Sequence, residues 1–313
     1  MRSIIQRVVR TVGDALNATS IAHAKSLLTL MQVVEQRTRT LEYLCQQNLV
    51  TQNYAVDLLQ KLYVEAMPNW GQLLKQAPFN AAAVLTLNTA HPVAVNSNDH
   101  INPDSTLEGV VRPTLFVQDI VKVLGTNIKA LDLGTGAAGL VFEFAANGVL
   151  AVGIDGSDFC RRNRIGYWPL LPNNLLTCDI TKPFSFSTLP ESDAAKFDLI
   201  TMWEVLEHLH EHDLSELFRN IESNLSDQGF FVGSISLVEY SDASGSPYHV
   251  TLKPRDWWHE QFASHGLEML DTHPFCERFF PRGNGPRYQD FHNYRSNPMD
   301  GFLFVAKHKT LPT

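Results

Sequence analysis

The hydrophobic pattern of the first 76 residues is helical. Apolar side chains recur three or four residues apart, which places them along one face of a helix. The three stripes contain Ile4, Ile5, Val8, Val9, Val12 and Leu16; Leu27, Leu28, Met31, Val34, Leu41 and Leu44; and Tyr54, Leu58, Leu59, Leu62 and Tyr63. No side chains with evident chemistry accompany them. We therefore predict that residues 1–76 form an α-helical N-terminal region that caps the following domain or forms a homodimer.

The pattern changes twice further along the chain. Residues 77–114 are rich in proline, asparagine and aspartate, which predicts an extended connector over the surface. From residue 115 to residue 313, short apolar segments alternate with helical ones. The predicted strands are 130–133, 150–154, 175–178, 198–202, 230–235, 267–270 and 302–306, and the predicted helices are 138–147, 158–166, 213–225 and 254–264.

This alternation predicts the fold class. Strands that are apolar on both faces and are separated by helices form a doubly wound, mostly parallel α/β sheet. The last two predicted strands are joined by a long loop, 271–299, without helical periodicity. We therefore expect seven strands, with an antiparallel hairpin at the edge of the sheet.

Composition narrows the function classes. The chain is 44% hydrophobic and 19% charged, with a formal net charge of −8. That balance argues against a nucleic-acid partner, although a local basic patch would suffice for a small RNA. No apolar run reaches the roughly 18 residues of a membrane span. Four cysteines without a CxxC pair are typical of a reducing compartment, so we expect a cytoplasmic protein without a membrane partner.

A glycine-rich loop separates the first predicted strand of the sheet from its helix. Residues 130–139 read ALDLGTGAAG. Gly134 and Gly136 allow backbone conformations and a close ligand approach that a Cβ would prevent, but this spacing is shared by many nucleotide binders. Asp132 would repel a pyrophosphate, whereas it suits the ammonium group or water network of an amino-acid-like ligand.

Two more strands end in acids. Asp155, in the sequence VGIDGSD, can accept hydrogen bonds from both hydroxyls of a ribose. Asp179, followed by the apolar Ile180, could hold an adenine amino group. Each carboxylate could instead cap the helix or turn that follows it. Three acids around one glycine loop favour a nucleoside-containing cofactor.

An acid- and histidine-rich segment, WEVLEH, follows the fourth strand at residues 203–208. If it begins a helix, then Glu204, Glu207 and His208 share one face. His249 follows the fifth strand and could reach the same edge of the sheet. These groups could bind a divalent cation, act as an acid or base, or line the acceptor pocket.

Residues 125–307 resemble class I S-adenosylmethionine-dependent methyltransferases, in particular the branch that includes the ubiquinone-biosynthesis O-methyltransferases. LDLGTGAAG resembles motif I of that family, VGIDGSD its acidic second strand, and FDLITMWEVLEHL its fourth-strand motif. The resemblance implies a Rossmann-like domain and S-adenosyl-L-methionine as cofactor. It places Asp132, Gly134 and Gly136 at the methionine end, Asp155 and Gly156 at the ribose, and Asp179 and Ile180 at the adenine, with Trp203 completing the cofactor set.

The spacing E-x-x-E-H with a later histidine resembles the magnesium site of small-RNA 2′-O-methyltransferases and of some quinone O-methyltransferases. It implies Glu204, Glu207, His208 and His249 as ligands of Mg²⁺ or another divalent metal. Such an ion would lower the pKa of an acceptor hydroxyl. The motif also occurs in relatives without a metal, where it shapes the acceptor pocket. Independently of a metal, His208 or His249 could act as an acid or base or contact the substrate.

The expected function is therefore O-methylation of a small or medium metabolite. One alternative is a metal-dependent 2′-O-methyltransferase of RNA ends, and another is a methyltransferase-like protein that binds the cofactor without turnover. An NAD-dependent enzyme is disfavoured by Asp132. In the loop 271–299, arginines alternate with aromatic residues. These arginines, Arg278, Arg282, Arg287 and Arg295, could clamp an anionic acceptor or pair with Glu277 and Asp290.

Overall fold

The computed structural model describes residues 75–101, 103, 112–241, 245–283 and 293–309. The helices predicted before residue 75, and any dimer they would form, lie outside these residues. The described residues all belong to the second of the chain's two units, Gly71–Thr313. Among their helices, none has both the length and the apolar character that a membrane crossing requires.

A seven-stranded sheet forms the centre of this unit, as predicted. The strands along the described chain are β1 (Leu85–Thr89), β2 (Lys129–Leu133), β3 (Leu150–Asp155), β4 (Leu175–Thr177), β5 (Phe184–Thr188), β6 (Phe197–Trp203), β7 (Leu225–Ser236), β8 (Leu267–Met269) and β9 (Gly301–His308). The order in the large sheet is β4-β3-β2-β6-β7-β9-β8. The first five of these strands are parallel, and β9 runs antiparallel to both of its neighbours. The predicted antiparallel edge is thereby confirmed.

Helices flank the sheet. They are α1 (Asn98–Ile101), α2 (Thr114–Leu124), α3 (Gly139–Ala146), α4 (Phe159–Arg162), α5 (Leu214–Asn224) and α6 (Arg255–Ser264). The predicted helix 158–166 ends early because the chain turns back toward the glycine loop. Gly166 has φ +59°, where a Cβ would meet the Ala137 carbonyl oxygen at 2.4 Å. The turn lets the Trp168 indole donate to the Gly136 carbonyl at 2.8 Å.

The core lies between the sheet and these helices. On α5, Leu217, Phe218 and Ile221 recur at helical spacing and are fully buried, which places the apolar face of that helix against the sheet. The ring of Phe218 packs on that of Phe262 in α6, with centroids 4.9 Å apart. Phe262 in turn stacks on Phe231 of β7. Burial of these side chains fixes the helices over the sheet and leaves its carboxyl edge for a site.

The segment predicted as an extended connector, 77–114, contains regular structure. It forms two short 3-10 turns, strand β1 and helix α1, and it ends at Thr114, the first residue of α2. Strand β1 pairs antiparallel with β5 in a separate two-stranded sheet, with Leu87 opposite Phe186. Both strands alternate apolar and polar residues, LTLNT and FSFST, which is the period-2 pattern of a half-buried strand. That pattern was the sequence signal for the second sheet.

Candidate active site

The carboxyl ends of the parallel strands meet at one edge of the large sheet. In open α/β sheets, ligands bind in the crevice outside this edge. The glycine loop follows β2, Asp155 ends β3, Asp179 lies two residues beyond β4, and Glu204 follows β6. All four features that the sequence analysis singled out therefore lie along the same crevice.

The glycine loop is held in a conformation that only glycine adopts without strain. Gly134 has φ +77° and Gly136 has φ +51°. The Gly134 amide donates to the Ile154 carbonyl at 2.9 Å, which anchors the loop to β3. A Cβ on Gly134 would lie 2.3 Å from Cγ2 of Val205. The first glycine thus allows the loop to pack directly against the segment that carries Glu204 and His208.

Asp132 is buried at the end of β2. Its Oδ1 accepts a hydrogen bond from the Thr201 hydroxyl of the neighbouring strand β6 at 2.7 Å. Burial raises the pKa of Asp132 to about 6, against the opposing effect of that hydrogen bond. The carboxyl group is therefore tied to the sheet by this hydrogen bond.

Asp155 joins β3 to the glycine loop. One carboxylate oxygen accepts from the Gly136 amide and the other from the Ser157 amide, each at 2.8 Å. Burial raises the pKa of Asp155 to about 7, and the charges of Asp99 and Asp132 act in the same direction. An ionised carboxylate has about four acceptor positions. Two therefore remain for hydroxyl donors such as those of a ribose.

The Asp179 carboxylate caps the turn that follows it, which was the alternative to its contact with an adenine. Its Oδ1 accepts from the Thr181 hydroxyl at 2.6 Å and from the Thr181 amide at 3.0 Å. The next residue, Ile180, is buried in the core, and its carbonyl oxygen accepts from the Asn220 side chain at 3.0 Å. An adenine contact by these two residues stays a prediction.

A segment upstream of the glycine loop crosses this edge. We call residues 91–101 the strap. Its His91 carbonyl accepts from the Asp179 amide at 2.9 Å, and its Ala94 amide donates to the Gly156 carbonyl at 2.8 Å. A Cβ on Gly156 would lie 3.2 Å from that of Ala94. Gly156, expected at the ribose, therefore also lets the strap approach the end of β3.

The prediction that Glu204, Glu207 and His208 share one face of a helix is wrong. Glu204 has φ +54°, and only residues Leu206–His208 form a helical turn, of 3-10 type. The Glu204 carboxylate instead accepts from the Ser234 hydroxyl at 2.6 Å and from the Tyr294 hydroxyl at 2.5 Å. The left-handed residue directs this side chain away from the turn that follows it.

Three of the four predicted metal ligands nevertheless come together. Glu207, His208 and His249 each offer a ligand atom, and these atoms lie within 4.8 Å of one another. Glu207 is fully buried, and its Oε1 accepts from the Ser236 amide at 2.9 Å. Its Oε2 has no hydrogen-bond partner among the described residues. Burial raises the pKa of Glu207 well above its usual range, and the charge of Glu204 adds to the effect.

The two histidines are held differently. His249 Nδ1 lies 2.6 Å from the Val238 carbonyl oxygen, so the ring donates from Nδ1 and keeps its Nε2 lone pair. His208 is packed edge-on against the His249 ring, with centroids 4.8 Å apart. Burial lowers the pKa of His208, which Asp99 partly opposes. His208 is therefore disposed to act as a neutral ligand or proton acceptor, and the hydrogen bond at Nδ1 of His249 leaves its Nε2 available to the same cluster.

The model of a methyltransferase-domain family matches residues 111–280. The chain belongs to this family. The match begins just before α2 and ends after α6 and β8. It therefore contains the glycine loop, the three strand-end acids and the cluster of Glu207, His208 and His249. The strap lies before it. No curated protein matches the chain in sequence.

Solved methyltransferase structures resemble this chain at low identity. The glycopeptide N-methyltransferase MtfA complexed with sinefungin is 14% identical, with a TM-score of 0.41, over 64% of this chain and 95% of that one. A TehB-like SAM-dependent methyltransferase from Corynebacterium glutamicum is 17% identical, with a TM-score of 0.42, over 69% and 99%. The 1,6-didemethyltoxoflavin-N1-methyltransferase of Burkholderia thailandensis is 15% identical, with a TM-score of 0.42, over 69% and 84%.

In this methyltransferase, Trp203 belongs to an aromatic cluster at the end of β6. Its ring meets those of Phe116 and Phe280 edge to face, with centroids 5.2 and 5.7 Å away. Its Nε1 is buried without a hydrogen-bond partner among the residues that the structure describes. The ring therefore forms part of a wall, and its contact with a cofactor stays a prediction.

The late arginines were expected to clamp an anion or to pair with Glu277 and Asp290. Arg282 pairs with Glu204 instead, with Nε 3.3 Å from Oε2. Glu277 accepts from His273, which lowers the pKa of this glutamate, and Arg295 contributes in the same direction. Arg287 and Asp290 lie outside the described residues. The Arg282–Glu204 pair was not foreseeable from sequence, because the two residues are far apart along the chain.

Proposed function

We propose that this protein transfers the methyl group of S-adenosylmethionine to a hydroxyl group of a small or medium metabolite. The observation that carries the proposal is the cluster of Glu207, His208 and His249, which lies directly after the segment packed on the glycine loop. Family membership supplies the reaction type. The cluster supplies groups that can activate a hydroxyl beside the cofactor.

The reaction requires alignment and the removal of one proton. The acceptor oxygen attacks the methyl carbon, the carbon–sulfur bond breaks, and S-adenosylhomocysteine leaves with the electron pair of that bond. The hydroxyl proton passes to a base, for which His208 and His249 are the candidates. Since the sulfonium is already activated, most of the acceleration comes from orientation. The strand-end acids Asp132 and Asp155 suit the positively charged end and the ribose of the cofactor, respectively.

The same cluster fits a divalent cation. A carboxylate oxygen without a hydrogen-bond partner and two imidazole nitrogens within 4.8 Å form a mixed set that suits a transition metal such as Mn²⁺ as well as Mg²⁺. When bound, such an ion would lower the pKa of the acceptor hydroxyl. Glu207, His208 and His249 would hold it, with Glu204 outside the set.

The buried Glu207 favours turnover over a scaffold that only binds the cofactor. A carboxylate oxygen without a hydrogen bond in the protein interior is costly, and Oε2 of Glu207 has no hydrogen-bond partner among the described residues. The net charge of −8 argues for a metabolite rather than an RNA end. We also propose a cytoplasmic location, on the scarcity of cysteine and the absence of an apolar run in the sequence.

Calorimetry tests the cofactor. We expect micromolar binding of S-adenosylhomocysteine and no binding of NADH. Asp155→Ala should weaken the former by about 1–3 kcal/mol, because charge-assisted hydrogen bonds to the ribose are lost. Asp198→Ala is the matched control, since that carboxylate also accepts from a backbone amide, that of Lys129, but at the opposite edge of the sheet. NADH binding without S-adenosylhomocysteine binding would refute the proposal.

Chelation tests the metal. We expect EDTA to lower methyl transfer at least tenfold, and Mn²⁺ or Mg²⁺ to restore it, because the acceptor hydroxyl loses its activating ion. His249→Ala should weaken Mn²⁺ binding, whereas Glu204→Gln should not, since that carboxylate contacts Ser234, Tyr294 and Arg282. Full activity in EDTA would exclude a required metal and leave the histidines as direct proton acceptors.

A further inference from the structure

The strap, which precedes the family match, contacts several segments that line the proposed site. Besides its backbone contacts to Asp179 and Gly156, its Asn98 side chain donates to the Pro247 carbonyl at 2.8 Å. Its His100 Nδ1 lies 3.6 Å from Asp158. The strap thereby spans the ends of β3 and β4 and the segment that carries His249. Asp99, the acidic residue of the strap, lies between these segments.

Asp99 faces His208. Its Oδ2 lies 3.6 Å from His208 Nδ1, which is slightly beyond the 2.7–3.2 Å of a hydrogen bond. His208 Nδ1 is buried and has no hydrogen-bond partner among the described residues. An approach of about half an ångström completes the hydrogen bond.

We propose that Asp99 is a positioning residue for His208, which rests on the proposed function of the cluster. By accepting from Nδ1–H, the Asp99 carboxylate fixes the tautomer of His208 with the proton on Nδ1. Nε2 then keeps its lone pair for a cation or for the acceptor proton. A carboxylate behind a functional histidine sets the ring orientation and raises its basicity in this way.

With this role for Asp99, the orientation of His208 depends on the strap, which lies outside the residues that the family model matches. His249 obtains the same tautomer from a backbone carbonyl, that of Val238. His208 has no such carbonyl at Nδ1 among the described residues. The Asp99 carboxylate, 3.6 Å away, is placed to take that role.

Nuclear magnetic resonance reads the tautomer directly. Long-range ¹H–¹⁵N spectra of the full-length protein would be recorded with S-adenosylhomocysteine present, above the ordinary pKa of histidine, and His208→Gln would assign the signals. We expect a proton on Nδ1 of His208 in the wild type. Asp99→Ala should give a mixture of tautomers, whereas Asp99→Asn should keep the Nδ1 proton because its amide oxygen still accepts. Asn98→Ala, which removes a neighbouring polar side chain of the strap and leaves the acid, should also keep it.

Titration with Mn²⁺ alone gives a second readout. Loss of a carboxylate behind a histidine ligand commonly costs 10–100-fold in metal affinity, so Asp99→Ala should show a loss of this order and Asp99→Asn a smaller one. An unchanged tautomer in Asp99→Ala, or an equal change in Asn98→Ala, would overturn the inference. If the wild type binds no S-adenosylhomocysteine, the proposed function fails instead, while the tautomer remains measurable in the protein alone.

Discussion

Replacement of His208 by alanine is expected to lower kcat by about 100- to 10,000-fold, which is the contribution of a positioned acid–base group. The affinity for S-adenosylhomocysteine should change by less than about threefold, because the ring lies among Glu207, His249 and Asp99 rather than at the glycine loop. The effect is expected whether His208 takes the proton itself or holds a cation that activates the hydroxyl. It therefore tests the role of the cluster before its mechanism is known.

The measurement is release of S-adenosylhomocysteine across a panel of hydroxylated metabolites, followed by kinetics with the acceptor that gives turnover. His210→Ala is the matched control, since this histidine is two residues away, exposed, and stacked only on His212 among its described ring contacts. Its turnover should equal that of the wild type. A His208→Ala variant that keeps more than a tenth of wild-type kcat would remove His208 from the mechanism.

Replacement of Gly134 by alanine should abolish detectable cofactor binding and lower the free energy of unfolding by about 2–5 kcal/mol. Two effects add. A residue with a Cβ is strained at φ +77°, and that Cβ would lie 2.3 Å from Cγ2 of Val205. Either the loop or the segment after β6 must move, and both line the proposed site. Calorimetry with S-adenosylhomocysteine and denaturant unfolding measure the two consequences.

The variant Gly125→Ala separates the effect of backbone strain from that of a steric collision. Gly125 has φ +81°, but a Cβ there would meet nothing within 4 Å. Its ψ of −175° is a conformation that residues with a Cβ rarely adopt, so Gly125→Ala should cost about 1–3 kcal/mol of stability and leave cofactor binding intact. In a Val205→Ala background, Gly134→Ala should be less costly by about 1–3 kcal/mol, because the colliding methyl groups are absent. Equal losses in both backgrounds would show that Val205 does not restrict the loop.

Local periodicity explains why the large sheet was predictable. Each parallel strand is buried on both faces, so it appears in the sequence as a short apolar run, and the helices between the strands carry their own period. The small sheet of β1 and β5 was missed even though LTLNT and FSFST alternate. Its two strands lie far apart along the chain, and five alternating residues among prolines and asparagines resemble a connector.

The sequence by itself determined the strands of the large sheet, the glycine loop and the acids at the carboxyl edge, because the parallel arrangement brings the ends of these strands to one crevice. It also singled out Glu207, His208 and His249. Only the tertiary structure decided which acids lie beside them. A left-handed backbone at Glu204 sends its carboxylate to Tyr294 and Arg282, and the strap brings Asp99 to His208. Both outcomes depend on contacts between segments about 80 or more residues apart, which residue spacing does not encode.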